Sequence, residues 1–287
     1  QLTTMGKVYL EGQFQPIESA KISVLDRGFL FGDGVYEVIP VYGKKLFRLT
    51  EHLQRLENSL AEVRITNPHT RETWATLLTQ LIEQNEGEDQ SLYLQVTRGI
   101  APRDHHFPDQ STPTLFMMSN PLVGTPETTL QSGIAAVTEI DSRWSRCNIK
   151  SINLLANVLH RQHAMDQGAK ESILIRDGKV TEGAASNLFI VLQGETITPP
   201  KSPHLLPGVT RDLVLELAEQ HQLPWREAAI PEQALQQAEE IWVTSSTKEI
   251  VPVTTLNQQP VGDGKPGPIA LQLHQHLQTF KQQFRSN

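Results

Sequence analysis

Lys150, in the segment RCNIKS (146–151), and Glu182, in VTEGAASNLF (180–189), are the residues whose types and order could do chemistry together. A primary amine condenses with an aldehyde to an imine, and a carboxylate set against a ring nitrogen keeps it protonated so that the ring withdraws electrons. Taken singly, a lysine is ordinarily a solvated surface amine and a strand-end glutamate an exposed carboxylate. Order and setting carry the argument here, because the glutamate follows the lysine by about thirty residues in a turn-rich stretch.

Four further segments join them: FGDGVYEVIPVY (31–42), EHLQRL (51–56), LLPGVTRD (205–212) and VTSSTKEI (243–250). With these the chain resembles the fold type IV pyridoxal phosphate enzymes, from about Lys7 to beyond Val261. The resemblance implies pyridoxal 5'-phosphate as cofactor, with Lys150 as its anchor and as the proton carrier of transamination, and Glu182 on the pyridine nitrogen. It also implies Arg55 as the phosphate arginine, Ser245 and Ser246 as a hydroxyl-bearing turn near the phosphate, Leu206 packed near the coenzyme, Asn187 as a further contact, and Tyr36 as an active-site phenol. Read from the residues themselves, Gly208 precedes a predicted helix start, so the Val209 and Thr210 amides can face a phosphate at its positive end.

VTRGIAPRDHHFP (96–108) places Arg103 and His105 two apart. In an extended segment such residues point the same way, and an arginine fork suits a carboxylate. The pair looks like the carboxylate trap of D-amino acid aminotransferases, and branched-chain enzymes are not expected to carry it here. The resemblance then implies transfer of the amino group of D-alanine and other D-amino acids to 2-oxoglutarate by a ping-pong mechanism. It further implies a homodimer in which Arg103 and His105 reach across from the second subunit. The alternatives are an R-selective amine or branched-chain L-amino acid transaminase, an aminodeoxychorismate lyase-type enzyme, and a non-catalytic dimeric binding protein.

Lys and Arg total 25 against 32 Asp and Glu, a formal charge of −7, which leaves no basic footprint for nucleic acid. The single cysteine, Cys147, excludes an intrachain disulfide and a multi-cysteine zinc site, fits a reducing compartment, and reads as a small buried hydrophobe. No apolar run reaches about 18 residues and the N-terminus lacks the pattern of a secretory signal, so a cytoplasmic protein off the membrane is expected. Met5 is a plausible start, which would make residues 1–4 extraneous. His160 and His163, three apart on a predicted helix, lack a third ligand at a recognisable spacing; they are read as surface histidines, and no metal is expected.

These residues must be positioned by an α+β fold of two domains, in the resemblance a smaller N-terminal α/β domain and a larger barrel-like C-terminal domain with the cofactor between them. The expected division is 1–119, a linker at 120–128 in the proline-rich stretch SNPLVGTPETT, and 129–287. The first half reads as a hairpin around Glu11 and Gly12, two strands turning at Gly43, a helix capped by Thr50, a second helix from Trp74 to about Gln84, and strands SLYLQVTRG and TLFMMS. In the second half Leu155, Val158, Leu159 and Met165 support a helix ended by Gly168. SILIRDGKVTE reads as a hairpin at Asp177 and Gly178, and the strands NLFIVL and EIWVTSS flank the helix TRDLVLELAEQH. GKPGPIALQLHQHLQTFKQQF reads as a C-terminal helix. Two departures from the relatives touch the pocket: Ala184 and Ala185 stand where serines are usual, and Pro40 implies an edge or bulged strand.

Overall fold

The computed structural model describes residues 6–287, so the expected extraneous residues 1–4 lie outside it. Two compact units divide the chain, one holding the residues up to Val123 with Ile149–Leu154, the other Gly124–Asn148 with Leu155–Asn287. The sequence division assigns everything from 129 onward to one domain; the stretch Ile149–Leu154 instead groups with the first unit.

In the first unit, β1 (Lys7–Leu10) and β2 (Gln13–Pro16) turn at Glu11 and Gly12, with φ of 50° and 80°. Positive φ at both turn residues suits the twist of the strands they join. A short helix absent from the sequence reading, α1 (Arg27–Phe31), is capped by Asp26, which accepts from the Gly28 amide, and leads to β3 (Gly34–Tyr42) and β4 (Lys45–Leu46). Next comes α2 (Leu49–Val63), whose N-cap is Arg48 at φ 57° and ψ 38°, not Thr50. The chain leaving β4 turns through the left-handed Arg48, and the bond from His52 N to Arg48 O closes the first helical turn with Thr50 already inside it. Similarly α3 (Arg71–Glu83) starts ahead of Trp74 because Thr70 caps it, accepting from the Thr73 amide.

With β5 (Gln90–Thr97) and β6 (Thr114–Pro121), the strands form an antiparallel sheet in the order β2-β1-β6-β5-β3-β4. On one face Val35, Ile39 and Val41 alternate along β3 and meet Leu53, Leu56 and Leu60 of α2 and Trp74, Leu78 and Leu81 of α3. Each such aliphatic side chain, fully buried, stabilises by about 1.5–3 kcal/mol. Pro40 keeps register opposite Ser91, and its carbonyl accepts from Phe47 N. Its missing N–H therefore lies on the side away from β5, and no bulge is needed. Further along that outer edge Tyr36 N donates to Lys150 O at 2.9 Å, Ile152 N donates to Gly34 O at 3.0 Å, and Val35 bridges Ser151. These bonds attach the Lys150 segment to the first unit.

The second unit opens with α4 (Glu127–Ser132), which overlaps the expected linker, and continues with β7 (Ile134–Ile140), α5 (Leu155–Asp166), β8 (Glu171–Arg176), β9 (Lys179–Gly183), β10 (Asn187–Leu192) and β11 (Glu195–Thr198). It is completed by α6 (Val209–Gln220), β12 (Trp225–Glu227), α7 (Ala234–Gln237), β13 (Glu240–Ser245), β14 (Glu249–Leu256), β15 (Gln259–Pro260) and α8 (Pro268–Ser286). Its sheet runs β12-β11-β10-β13-β14-β7-β8-β9, with β15 beside β14, and mixes parallel with antiparallel pairs. A short turn joins β9, the last strand, to β10, third from the other end, so the sheet curls on itself. The curled sheet agrees with the barrel-like second domain and α+β class expected. Phe189 and Trp242, opposite each other in the register, stack at 4.4 Å in its core.

One face reverses the sequence reading. The apolar residues expected to bury α5 are outward: Leu155 is 69 %, Leu159 62 % and Val158 59 % exposed, while His160 and Ala164 are buried. His160 is thus not a surface histidine. Its Nδ1 lies 2.9 Å from Glu139 Oε2 and its Nε2 3.0 Å from Ser142 Oγ, so polar partners from the neighbouring strand and loop select the inward face. His163 is exposed as expected, and Cys147 is buried, its thiol pushed up by burial and placed 3.1 Å from Trp144 O.

Gly99, at φ 105°, stands so close to Thr112 that a Cβ would fall 2.0 Å from the Thr112 carbonyl oxygen. Gly99→Ala is expected to destabilise the protein by about 1–3 kcal/mol from backbone strain alone, with the clash adding to it. Urea midpoints of the two proteins test this.

Candidate active site

Lys150 is held through its backbone on both sides. Its amide donates to Ser59 Oγ of α2 at 3.2 Å, and its carbonyl takes the Tyr36 amide. The side chain lies over the Tyr36 ring, Nζ 4.3 Å from the centroid, a cation–π placement that keeps the amine at the sheet edge.

Arg55 stands one helical turn before Ser59, buried, with Nε and Nη2 on the two oxygens of Glu37 at 2.7 and 2.8 Å. His52 Nδ1 lies 2.9 Å from Glu37 Oε2. Burial works to raise the Glu37 carboxyl, but Arg55 and His52 outweigh it and hold it down at about 2. An ionised carboxylate only accepts, so His52 Nδ1 carries the hydrogen. Burial drives His52 itself below its ordinary value; Glu37 opposes this, while the Arg55 and Lys150 charges add to it. Sequence reasoning finds Arg55 but misses Glu37 and His52. A signal is present: His52, Arg55 and Ser59 recur at helical spacing between Leu53, Leu56 and Leu60, a polar line beside the buried stripe.

Arg103 and His105 project from the loop between β5 and β6, both exposed. The Arg103 guanidinium is 5.0 Å from the Phe31 ring and the His105 ring 5.4 Å from it, so one aromatic side chain gathers the pair.

The remaining residues belong to the second unit. Glu182, near the end of β9 and 4 % exposed, accepts from Arg143 Nη1 at 2.6 Å, Asn187 Nδ2 at 3.0 Å and Leu206 N at 3.1 Å. Burial pushes its carboxyl up to about 7; Arg143 and the Leu206 amide pull down, and the Asp141 charge pushes up again. Burial would lower Arg143, but Asp141 and Glu182 together hold it above its ordinary value. Arg143 and Asp141 carry no motif that sequence reasoning could find. Asn187 also donates to Leu206 O at 2.8 Å, and a Cβ on Gly208 would fall 2.0 Å from Asn187 Oδ1, so Gly208 lets the start of α6 approach Asn187. Val209 and Thr210 are the first two residues of that helix, whose N-cap Gly208 offers no side chain to its amides. Asn187 pairs with Thr244, one residue before Ser245 at the end of β13, and Ser246 opens the turn to β14. In place of serine hydroxyls, the Ala184 and Ala185 amides bond to the buried Glu171 carboxylate, as does Ser186 Oγ.

Lys150, Tyr36, Arg55, Arg103 and His105 thus belong to the first unit, and Glu182, Asn187, Leu206, Val209, Thr210, Ser245 and Ser246 to the second. The donor set fits pyridoxal phosphate: an amine for the aldehyde, a buried carboxylate for a protonated ring nitrogen, and an arginine, hydroxyls and a helix N-terminus for the phosphate. Glu182 is the sharpest indication, because a carboxylate raised by burial to about 7 gains from a further cationic donor.

Two outcomes are expected of these carboxylates. Glu37→Gln strips the buried Arg55 of its counter-charge and should destabilise the protein by about 3–5 kcal/mol in urea unfolding. Glu182 binds its proton more tightly folded, at about 7, than at its ordinary 4.5. In coenzyme-free protein its contribution to stability is therefore full below the lower value and lost as pH rises through the higher one. Glu182→Gln should remove that part of the slope when unfolding midpoints are measured across this range.

Residues 34–256 match the family model described as amino-transferase class IV. The D-alanine aminotransferase of Bacillus licheniformis is 42% identical over 95% of this chain and 96% of the relative. That of Staphylococcus haemolyticus is 38% identical over 96% and 98%. Among solved structures, the branched-chain amino acid aminotransferase of Escherichia coli is similar with a TM-score of 0.90 at 25% identity, covering 95% of this chain and 93% of that one. The T.th. branched-chain amino acid aminotransferase with pyridoxamine 5'-phosphate gives 0.89 at 26% identity, covering 96% and 94%. The family match takes in β3, the Lys150 segment, Glu182 and the start of α6, and with the sequence likeness running nearly end to end, this chain belongs to the class IV aminotransferase family.

Proposed function

We propose that the protein is a pyridoxal phosphate-dependent D-amino acid aminotransferase that passes the amino group of D-alanine to 2-oxoglutarate, yielding pyruvate and D-glutamate. The observation that carries the choice of substrate is the gathering of Arg103 and His105 against Phe31, which offers a carboxylate a planar fork and a ring N–H together. The likeness to D-alanine aminotransferases at 42% and 38% identity supports it, against 25% and 26% for the branched-chain structures.

When bound, the coenzyme supplies a ring that withdraws electrons from the substrate α-carbon. Lys150 would anchor it, and its amine, once freed, would carry the proton between the substrate α-carbon and the C4′ carbon of the coenzyme. Glu182 keeps the ring nitrogen protonated, with Asn187 and the Leu206 amide holding the carboxylate in place. Arg55, the Val209 and Thr210 amides and the Ser245 and Ser246 hydroxyls hold the phosphate. Tyr36, beneath the lysine amine, and Arg103 with His105 fix the substrate so that Lys150 addresses one face of its α-carbon. The two half-reactions run in turn at one site: pyruvate leaves before 2-oxoglutarate enters.

The active species is proposed to be a homodimer in which Arg103 and His105 serve the partner's site. The exposed apolar residues Leu155, Val158 and Leu159 of α5 support self-association. A cytoplasmic location is proposed, in keeping with the single cysteine. Among the described residues no helix is long and apolar enough to cross a membrane.

The absorbance of the coenzyme-loaded protein, followed during separate additions of D-alanine and L-leucine, tests the reading. D-alanine alone is expected to change the coenzyme band and release pyruvate, and Lys150→Ala to abolish the original band. A response to L-leucine alone would move the assignment to the branched-chain class.

A further inference from the structure

The geometry points to Arg27 as a positioning residue for substrate selection: from its buried place on α1 it sets the loop that carries Arg103 and His105, and so keeps that pair aimed at a substrate carboxylate. The inference rests on the reading of Arg103 and His105 given above and extends it to a residue that touches no substrate.

Between β5 and β6 the chain has no helix or strand of its own, and a long loop of that kind holds one shape only if it is tied down. Arg27, 3 % exposed, ties it at two levels. At the root its backbone N donates to Gly99 O at 2.9 Å. At the crown its side chain crosses to the loop, with Nη1 on Asp104 O at 2.6 Å and Nη2 on His105 O at 3.4 Å. These two carbonyls belong to the residues that directly follow Arg103, so gripping them orients the peptides that aim both side chains.

Asp33 balances the buried charge. It accepts Arg27 Nε at 2.8 Å and also Arg98 Nε and Nη2 at 2.7 and 2.9 Å. Arg98 is itself fixed to the Val63 and Arg64 carbonyls and lies 3.6 Å from the Phe107 ring, which pins the far side of the loop. Phe31, against which Arg103 and His105 come to rest, stands four residues after Arg27 on the same short helix, with the Arg27 guanidinium 4.9 Å from its ring. Grip and platform are thus one element. Exposed side chains on a free loop would have to be ordered by the substrate; here that ordering precedes binding. A lysine could reach one acceptor but lacks the planar fork that spans Asp33 and two carbonyls.

The test compares Arg27→Gln, Arg27→Lys and Arg103→Ala with the unmodified, coenzyme-loaded protein. The rate of coenzyme conversion is measured against D-alanine and against D-alaninamide, which replaces the carboxylate with a neutral group. Arg27→Gln is expected to lower kcat/KM for D-alanine by about tenfold or more, mainly through KM, with Arg27→Lys losing less. The D-alaninamide rate and the equilibrium affinity for pyridoxal phosphate should both hold. An equal fall for both substrates, or no fall for either, overturns the proposal and leaves Arg27 a structural residue. If Arg27→Gln does not fold, Phe31→Leu removes the platform and must show the same selective loss; an unselective effect overturns the proposal. Selective loss in Arg103→Ala without loss in Arg27→Gln defeats the inference while sparing the substrate reading. Failure of Arg103→Ala to discriminate the two substrates defeats both.

Discussion

The place of Lys150 depends first on the outer edge of β3. That strand pairs with β5 from Gly34 to Val41, but on its other side β4 pairs only with Val41 and Tyr42. The outward N–H and C=O groups nearer the start of β3 need partners, and the Tyr36 amide and Gly34 carbonyl find them in Lys150 and Ile152. A segment distant in sequence is thereby laid against the sheet, with its amide on α2 and its amine on the Tyr36 ring. Pro40 is compatible with this edge because its missing N–H falls where no strand needs it.

Burial of opposite charges organises the rest. Glu37 with Arg55 and His52, Asp33 with Arg27 and Arg98, and Glu182 with Arg143 are three arrangements in which a carboxylate has little contact with water. Such pairs are weak sources of stability, because desolvation offsets most of their attraction, but they make wrong rotamers costly. Their value here is geometric. Each holds rigid a group that stands beside a residue of the proposed chemistry. Glu182 differs from Glu37 in one respect: burial dominates the first and its charged partners the second, so the two carboxyls are driven to about 7 and about 2.

Periodicity and turn chemistry make most elements legible. The hairpins at Glu11–Gly12 and Asp177–Gly178, the helices around Leu53 and Leu213, and the strands NLFIVL and EIWVTSS stand where the pattern puts them. Thr50 misleads because a cap depends on where the preceding strand releases the chain, which composition does not encode. The apolar residues of α5 mislead for a different reason: periodicity finds an apolar stripe but cannot say what covers it, and here the sheet takes the His160 side.

By itself the sequence determined the family and pointed to the groups proposed for its chemistry, since the lysine, the carboxylate, the arginine and the Arg-x-His pair proposed for the site are matters of residue type and order along one chain. Tertiary structure alone decided which groups became neighbours. Glu37 lies beneath Arg55, Arg27 grips the loop of Arg103, and Arg143 meets Glu182, contacts between residues 18, 77 and 39 positions apart. Contacts of this range leave no periodic trace, because they arise when a sheet edge or helix face brings distant stretches together and the burial of charge then demands a partner.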